Sequence, residues 1–185
     1  MLKDIHKQAQ EQMKRAVEAA ERDLKTLRTG RASTSFVENL TVPAYGADTP
    51  LKAVATVSTP DAHTIQIQPW DRNLAGAIEK AILAANLGLT PNNDGRVIRI
   101  NIPVPTEERR KELVKVAHKM AEEGRVAVRN IRRHANDEIK ATEKRHEISE
   151  DDRTKAINEM QKMTDDFIKD VDVLLVAKEK EIMEV

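Results

Sequence analysis

From its second residue the chain repeats apolar positions at steps of three and four: Ile5, Ala9, Met13, Ala16 or Val17, Ala20, Leu24 and Leu27. Such steps return each side chain to the same side of a helix. No glycine or proline interrupts, so the pattern predicts a helix over residues 2–29. Gly30 is expected as its left-handed stop, with Arg28 in the last turn complementing the helix dipole.

Between residues 31 and 105 the period shortens. Thr64-Ile65-Gln66-Ile67-Gln68 and Val97-Ile98-Arg99-Ile100-Asn101-Ile102 alternate apolar and polar, as half-buried strands do. The runs Phe36–Val42, Leu51–Val57, Thr64–Gln68 and Arg96–Ile102 are read as strands, with Asn93-Asp94-Gly95 as the turn before the last. All seven prolines lie in this part of the chain. One helical pattern interrupts it, with Leu74, Ile78, Ile82 and Ala85 on one face, opening after Asp71 or Asn73 and stopping at Gly88.

Long helical periods then return. Thr106 is expected to cap a helix reaching about Arg145 through Leu113, Ala117, Met120, Val128, Ile131, Ala135 and Ile139. Its length is roughly 60 Å at about 1.5 Å per residue, and Gly124 is its one weak point, where a bend is allowed. Ser149, paired with Asp152 in a capping box, opens a last helix to about Met183 through Ile157, Met160, Thr164, Ile168, Val171, Leu175 and Ile182.

Three long amphipathic helices bury their stripes only against one another. The expected fold is therefore α+β: a long three-helix bundle from residues 1–30 and 106–185, with a small sandwich-like α+β domain, residues 31–105, inserted in it. The chain crosses between the two parts twice. Thr29, Gly30 and Arg31 on the first crossing, and Val104, Pro105 and Thr106 on the second, are read as a hinge.

Charge refines this picture through its distribution. The 31 basic and 31 acidic side chains cancel, which argues against a general polyanion binder. Yet residues 106–146 are rich in lysine and arginine, and residues 147–185 in aspartate and glutamate. With no cysteine there is no disulfide, thiol or zinc-thiolate chemistry. No apolar run reaches the roughly 20 residues of a membrane span, and the first residues lack the apolar core of a secretory signal. The expectation is a soluble, cytoplasmic protein with no membrane association and no cofactor.

The sharpest chemical signal is Arg125-Val126-Ala127-Val128-Arg129-Asn130-Ile131-Arg132-Arg133, which holds four arginines and no acid. Positions 125, 129 and 132 share a helix face, Arg133 lies beside it, and the apolar positions keep the opposite side. Guanidinium is permanently charged and its fork matches phosphate oxygens. The reading is a phosphate backbone, RNA above all. A solvated face would mix signs to gain pairs one turn apart. Only Phe36, Tyr45, Trp70 and Phe167 are aromatic, so backbone and shape contacts are expected to outweigh base stacking.

Other features read blandly. His118 with Glu122, and His134 with Glu138, have a metal-compatible spacing but no third ligand on their face, and are taken as surface residues. The pairs Asp151-Asp152 and Asp165-Asp166 diverge on a helix and make no catalytic dyad. No glycine-rich phosphate loop is present. Trp70 is expected to pack inward, the alternative being an exposed, partner-facing anchor.

Several segments in fixed order carry a resemblance. They are Leu27-Arg28-Thr29-Gly30-Arg31-Ala32, Tyr45-Gly46, Pro50-Leu51, Glu79-Lys80-Ala81-Ile82, Leu87-Gly88-Leu89 with Pro91, Thr106 to Leu113, Arg125 to Arg133, and Glu147 to Asp152. Taken together they resemble bacterial ribosome recycling factors from end to end. His134 and Ser33-Thr34 depart from that family's usual residues. The resemblance implies an L-shaped molecule with the outline of a transfer RNA and no catalytic centre. It implies binding to large-subunit rRNA of the post-termination ribosome, and subunit separation with elongation factor G and GTP that frees mRNA and tRNA. The family's arginines map to Arg129, Arg132 and Arg133, to Arg28 and Arg31 beside the first crossing, and more weakly to Arg110. With Arg125 from the sequence pattern, these form the expected rRNA-binding set, on a protein expected to be a monomer. The rival expectation is a non-enzymatic helical scaffold, or a general RNA-binding adaptor.

Overall fold

The computed structural model describes residues Met1–Glu184. Among the described residues four α-helices and six strands form: α1 (Leu2–Thr26), β1 (Thr41–Ala44), β2 (Ala47–Pro50), β3 (Ala55–Asp61), β4 (Thr64–Pro69), α2 (Ala75–Ala84), β5 (Pro91–Asn93), β6 (Ile98–Asn101), α3 (Glu107–Lys144) and α4 (Glu150–Met183). The chain divides into two compact units, one of Met1–Arg28 with Glu107–Glu184, the other of Thr29–Thr106.

In the first unit α1, α3 and α4 pack on one another along their apolar stripes. Ile5, Ala9, Met13, Val128, Ala135, Ile139, Ala156 and Met160 make one core cluster. Leu24, Leu113, Ala117, Ala121, Val171, Leu175 and Ile182 make a second. Helix α1 ends at Thr26, earlier than the periodicity predicts, because Leu27 turns extended at φ −73° and ψ 111°. Gly30 is thus not the helix stop. Its φ is +84°, and a Cβ there would lie 2.4 Å from Cδ of Pro105, so it serves a close approach of two chain segments.

Helix α3 runs unbroken through Gly124, the position where the sequence allows a bend. Gly124 is buried among its neighbours, and a Cβ on it would lie 2.9 Å from Cβ of Ala20. The missing side chain allows α1 and α3 to approach closely. His146, at φ +60°, turns the chain. Ser149 then caps α4: its Oγ accepts from the Asp152 amide at 3.1 Å, and the Asp152 carboxylate accepts from the Ser149 amide at 3.3 Å, the reciprocal pair expected.

The second unit holds a four-stranded antiparallel sheet in the order β3-β4-β6-β5 and a separate hairpin, β1-β2. Ile65, Ile67, Ile98 and Ile100 from the sheet meet Ile78 and Ile82 of α2 in a fully enclosed core with Val37, Val42 and Leu51. Two expected strands are shorter than their β-branched runs. Residues Thr34–Phe36 form a 3₁₀ turn capped by Ser33, and Leu51–Ala53 form another. Phe36 is therefore outside β1 and Leu51 outside β3. The hairpin turns on Tyr45 and Gly46, at φ +52° and +80°, the left-handed pair that a two-residue connection needs. Helix α2 stops before Gly88, where Asn86 at φ +50° already turns the backbone left-handed.

Candidate nucleic-acid interface

Arg125, Arg129, Arg132 and Arg133 all lie on α3. Three of them are half-buried along the helix flank, and Arg133 is exposed. The strip is not electrically uniform. Arg125 donates through Nε to Glu122 at 2.8 Å and through a terminal nitrogen to Asp172 of α4 at 2.7 Å. Arg129 donates to the other oxygen of Glu122 at 2.9 Å. Two guanidinium groups thus converge on one carboxylate, and their hydrogen bonds hold Glu122 below the usual carboxylate range. The same bond, donated by Arg125 to Glu122, raises the guanidinium above its ordinary value.

One turn on, the environment changes. Arg132 donates to the neutral amide oxygen of Gln161 on α4 at 2.8 Å, and Arg133 makes only a 3.5 Å contact with Oδ1 of Asn130. Among the described residues neither has a carboxylate partner. Gln161 is itself oriented by Asp165, to which its amide nitrogen donates at 2.8 Å. Arg132 is positioned by a neutral hydrogen bond and keeps its charge uncompensated, the state suited to a phosphate.

The other expected residues are dispersed. Arg110 is half-buried in the first turn of α3 and contacts the carbonyl of Met183 at 3.5 Å. Arg28 is exposed beyond the end of α1, and Arg31 is exposed near the start of the second unit. Of the residues read as a hinge, Thr29 is buried, Gly30 and Pro105 are half-buried, and Val104 and Thr106 are exposed.

Glu122, Asp172 and Gln161 were not singled out from the sequence. Glu122 had a local signal, three residues before Arg125, where helical side chains meet. Asp172 and Gln161 had none, since they reach α3 only through packing of α4.

His118 pairs with Glu179 of α4, not with Glu122. Among the described residues no three potential ligands gather to hold a metal ion, and no helix is long and apolar enough to cross a membrane. Trp70 does not pack inward as expected. It is 67% exposed: it directly follows β4, in which Ile65, Ile67 and Pro69 face inward, and the alternation of the strand turns the next position outward.

These features define a class: a helical-bundle protein with an α+β unit nested in its chain, and a cationic helix strip as its principal chemical feature. The family model described as "Ribosome recycling factor" matches residues 20–183. Among curated relatives, the ribosome-recycling factor of Halothermothrix orenii is 54% identical over the whole of both chains. That of Synechocystis sp. is 59% identical, over 92% of this chain and 93% of its own. A solution structure of a ribosome recycling factor superposes with a TM-score of 0.78 at 48% identity, covering 100% of this chain and 98% of that one. A second structure has a TM-score of 0.65 at 47% identity and covers 98% of each chain. It is described as models for the T. thermophilus ribosome recycling factor and the E. coli elongation factor G bound to the E. coli post-termination complex. The chain belongs to the ribosome recycling factor family, whose members are translation factors and not enzymes.

Proposed function

We propose that this protein acts in the cytoplasm as a monomer that binds the post-termination ribosome on large-subunit rRNA. With elongation factor G and GTP it promotes separation of the subunits and release of mRNA and tRNA. The observation that carries this reading is similarity along 98% of the chain to a factor described on a post-termination complex together with elongation factor G.

Arg132 and Arg133 are the primary phosphate contacts, since no carboxylate offsets them. Arg129 joins them by releasing its share of Glu122. Arg125 supports the strip: it holds Glu122 and ties α3 to α4 through Asp172. Arg28, Arg31 and Arg110 add outlying contacts. Thr29, Gly30 and Arg31, with Val104, Pro105 and Thr106, form the joint between the units, and the nested unit receives the push of elongation factor G.

The decisive experiment is a subunit-splitting assay on post-termination ribosomes, with and without elongation factor G and GTP. Splitting that needs all three components supports the reading. Splitting unaffected by adding this protein refutes it. A scaffold would instead sediment as an oligomer with an apolar interface, whereas the ribosome reading predicts a monomer that comigrates with ribosomes at low salt and dissociates at high salt.

A further inference from the structure

Two of the four aromatic side chains stand out in solvent on the nested unit, Tyr45 at 78% exposure and Trp70 at 67%. Other large apolar side chains of the chain are exposed too, Val173 and Val176 among them, but tyrosine and tryptophan are among the residues most enriched where partners anchor. Both rings are tethered. The Tyr45 hydroxyl donates to Oδ2 of Asp71 at 2.9 Å, and the Trp70 indole Nε1 donates to Oγ1 of Thr56 on β3 at 3.0 Å. Asp71 directly follows Trp70, and its Oδ1 accepts from the Asn73 amide at 2.9 Å. One carboxylate therefore joins the β1-β2 hairpin tip to the end of β4. The polar ends of both aromatics are satisfied internally, which leaves their faces for a partner and reduces the ordering cost of binding.

The charge of the patch selects the partner. Its carboxylate stays ionised: the Asn73 amide and the Tyr45 hydroxyl hold Asp71 below the usual range. The hairpin's one charged side chain is another acid, Asp48. Arg72 is the single cation of the adjoining turn. A nucleic acid stacked on these rings would bring phosphates towards Asp71 and Asp48. An arginine or lysine would find ring faces and a carboxylate together, the two features that attract a cation.

We infer that Tyr45, Trp70 and Asp71 form a preorganised docking surface for a basic segment of a partner protein, which lays an arginine or lysine side chain over an exposed ring face beside the carboxylate. The surface belongs to the nested unit and the arginine strip to the bundle, and the inference does not depend on what that strip binds.

Trp70 is the only tryptophan in the chain, so its emission reports this patch and not the acidic helix α4. The test titrates the full-length protein at low ionic strength with acetylated, amidated hexa-arginine, with the matching hexa-glutamate, and with a hexameric oligouridylate. Saturable change in Trp70 emission with the arginine peptide alone is expected. Asp71→Asn and Tyr45→Leu should each weaken it roughly three- to fivefold, as losing a carboxylate or ring partner implies. Tyr45→Leu leaves the Asp71 turn in place, so it remains informative if Asp71→Asn perturbs local structure. A stronger response to the oligouridylate would make the patch a base-stacking surface and overturn the inference. No response to the arginine peptide, or a response unchanged in both variants, overturns it equally.

Discussion

Gly124 of α3 faces Ala20 of α1 so closely that a methyl group on the glycine would lie 2.9 Å from the alanine Cβ. Glycine in a helix interior costs about 1 kcal/mol relative to alanine. Here that cost is offset by an approach of two helices that no other residue permits. Gly124→Ala should gain the helix propensity and lose more through overpacking, which is typically about 1–3 kcal/mol. The expected net loss is about 1 kcal/mol in urea unfolding. Ala20→Gly combined with Gly124→Ala should recover most of it. Simple additivity of the two single changes would show that the contact does not limit packing.

The arginines of α3 should separate into two kinds. Arg132→Ala is expected to weaken ribosome binding, to flatten its salt dependence by about one unit of slope, and to leave helicity unchanged. Arg125→Ala should instead lower the stability of the bundle, by up to about 1 kcal/mol for its partly exposed cross-helix pair, with a smaller effect on the salt slope. Cosedimentation with ribosomes across a salt series, beside circular dichroism melts, distinguishes them. Identical behaviour of the two variants would refute the division.

Acid should act in part through Glu122. Its folded-state pKa lies below its unfolded value because two arginines donate to it. That contribution to stability is complete above the ordinary carboxylate value of about 4.3 and is lost as pH falls through the lowered folded value. Asp152, lowered by the Ser149 hydroxyl and amide, behaves in the same sense. Glu122→Gln should therefore be less stable at neutral pH and show a shallower decline below about pH 4. Parallel pH–stability curves for variant and wild type would remove Glu122 from this role.

Gly30→Ala combines two penalties, a left-handed φ of +84° and a 2.4 Å clash with Pro105. The conformational term alone is about 1–2 kcal/mol. Hydrogen exchange should show faster opening in the segments around residues 30 and 105, with α4 unaffected. Unaltered exchange there would mean that the two segments separate freely.

Much of the bundle was legible because its helices are long and their signals local. The Ser149–Asp152 cap and the buried stripe of α3 both follow from short-range spacing. The nested unit was harder to read. Phe36 and Leu51 sit in β-branched runs, yet each is drawn into a 3₁₀ turn, where their side chains still reach the core. Tyr45 takes a left-handed turn position that its type seldom favours, so the β1-β2 hairpin had no ordinary asparagine–glycine signature. The role of Gly30 depended on Pro105, and that of Arg125 on Asp172, both far away in sequence. The nine-residue run placed four arginines on one helix, but could not reveal which of them a second helix would neutralise.

The nested chain order also bears on biosynthesis. Helix α1 leaves the exit tunnel long before α3 and α4, and its apolar stripe has no partner while about 80 further residues are polymerised. At about 5–20 residues per second that delay lasts roughly 4–16 s. The nested unit, being continuous from Thr29 to Thr106, can close during the wait. Translation speed through its codons therefore sets how long a sticky nascent helix remains open to chaperones.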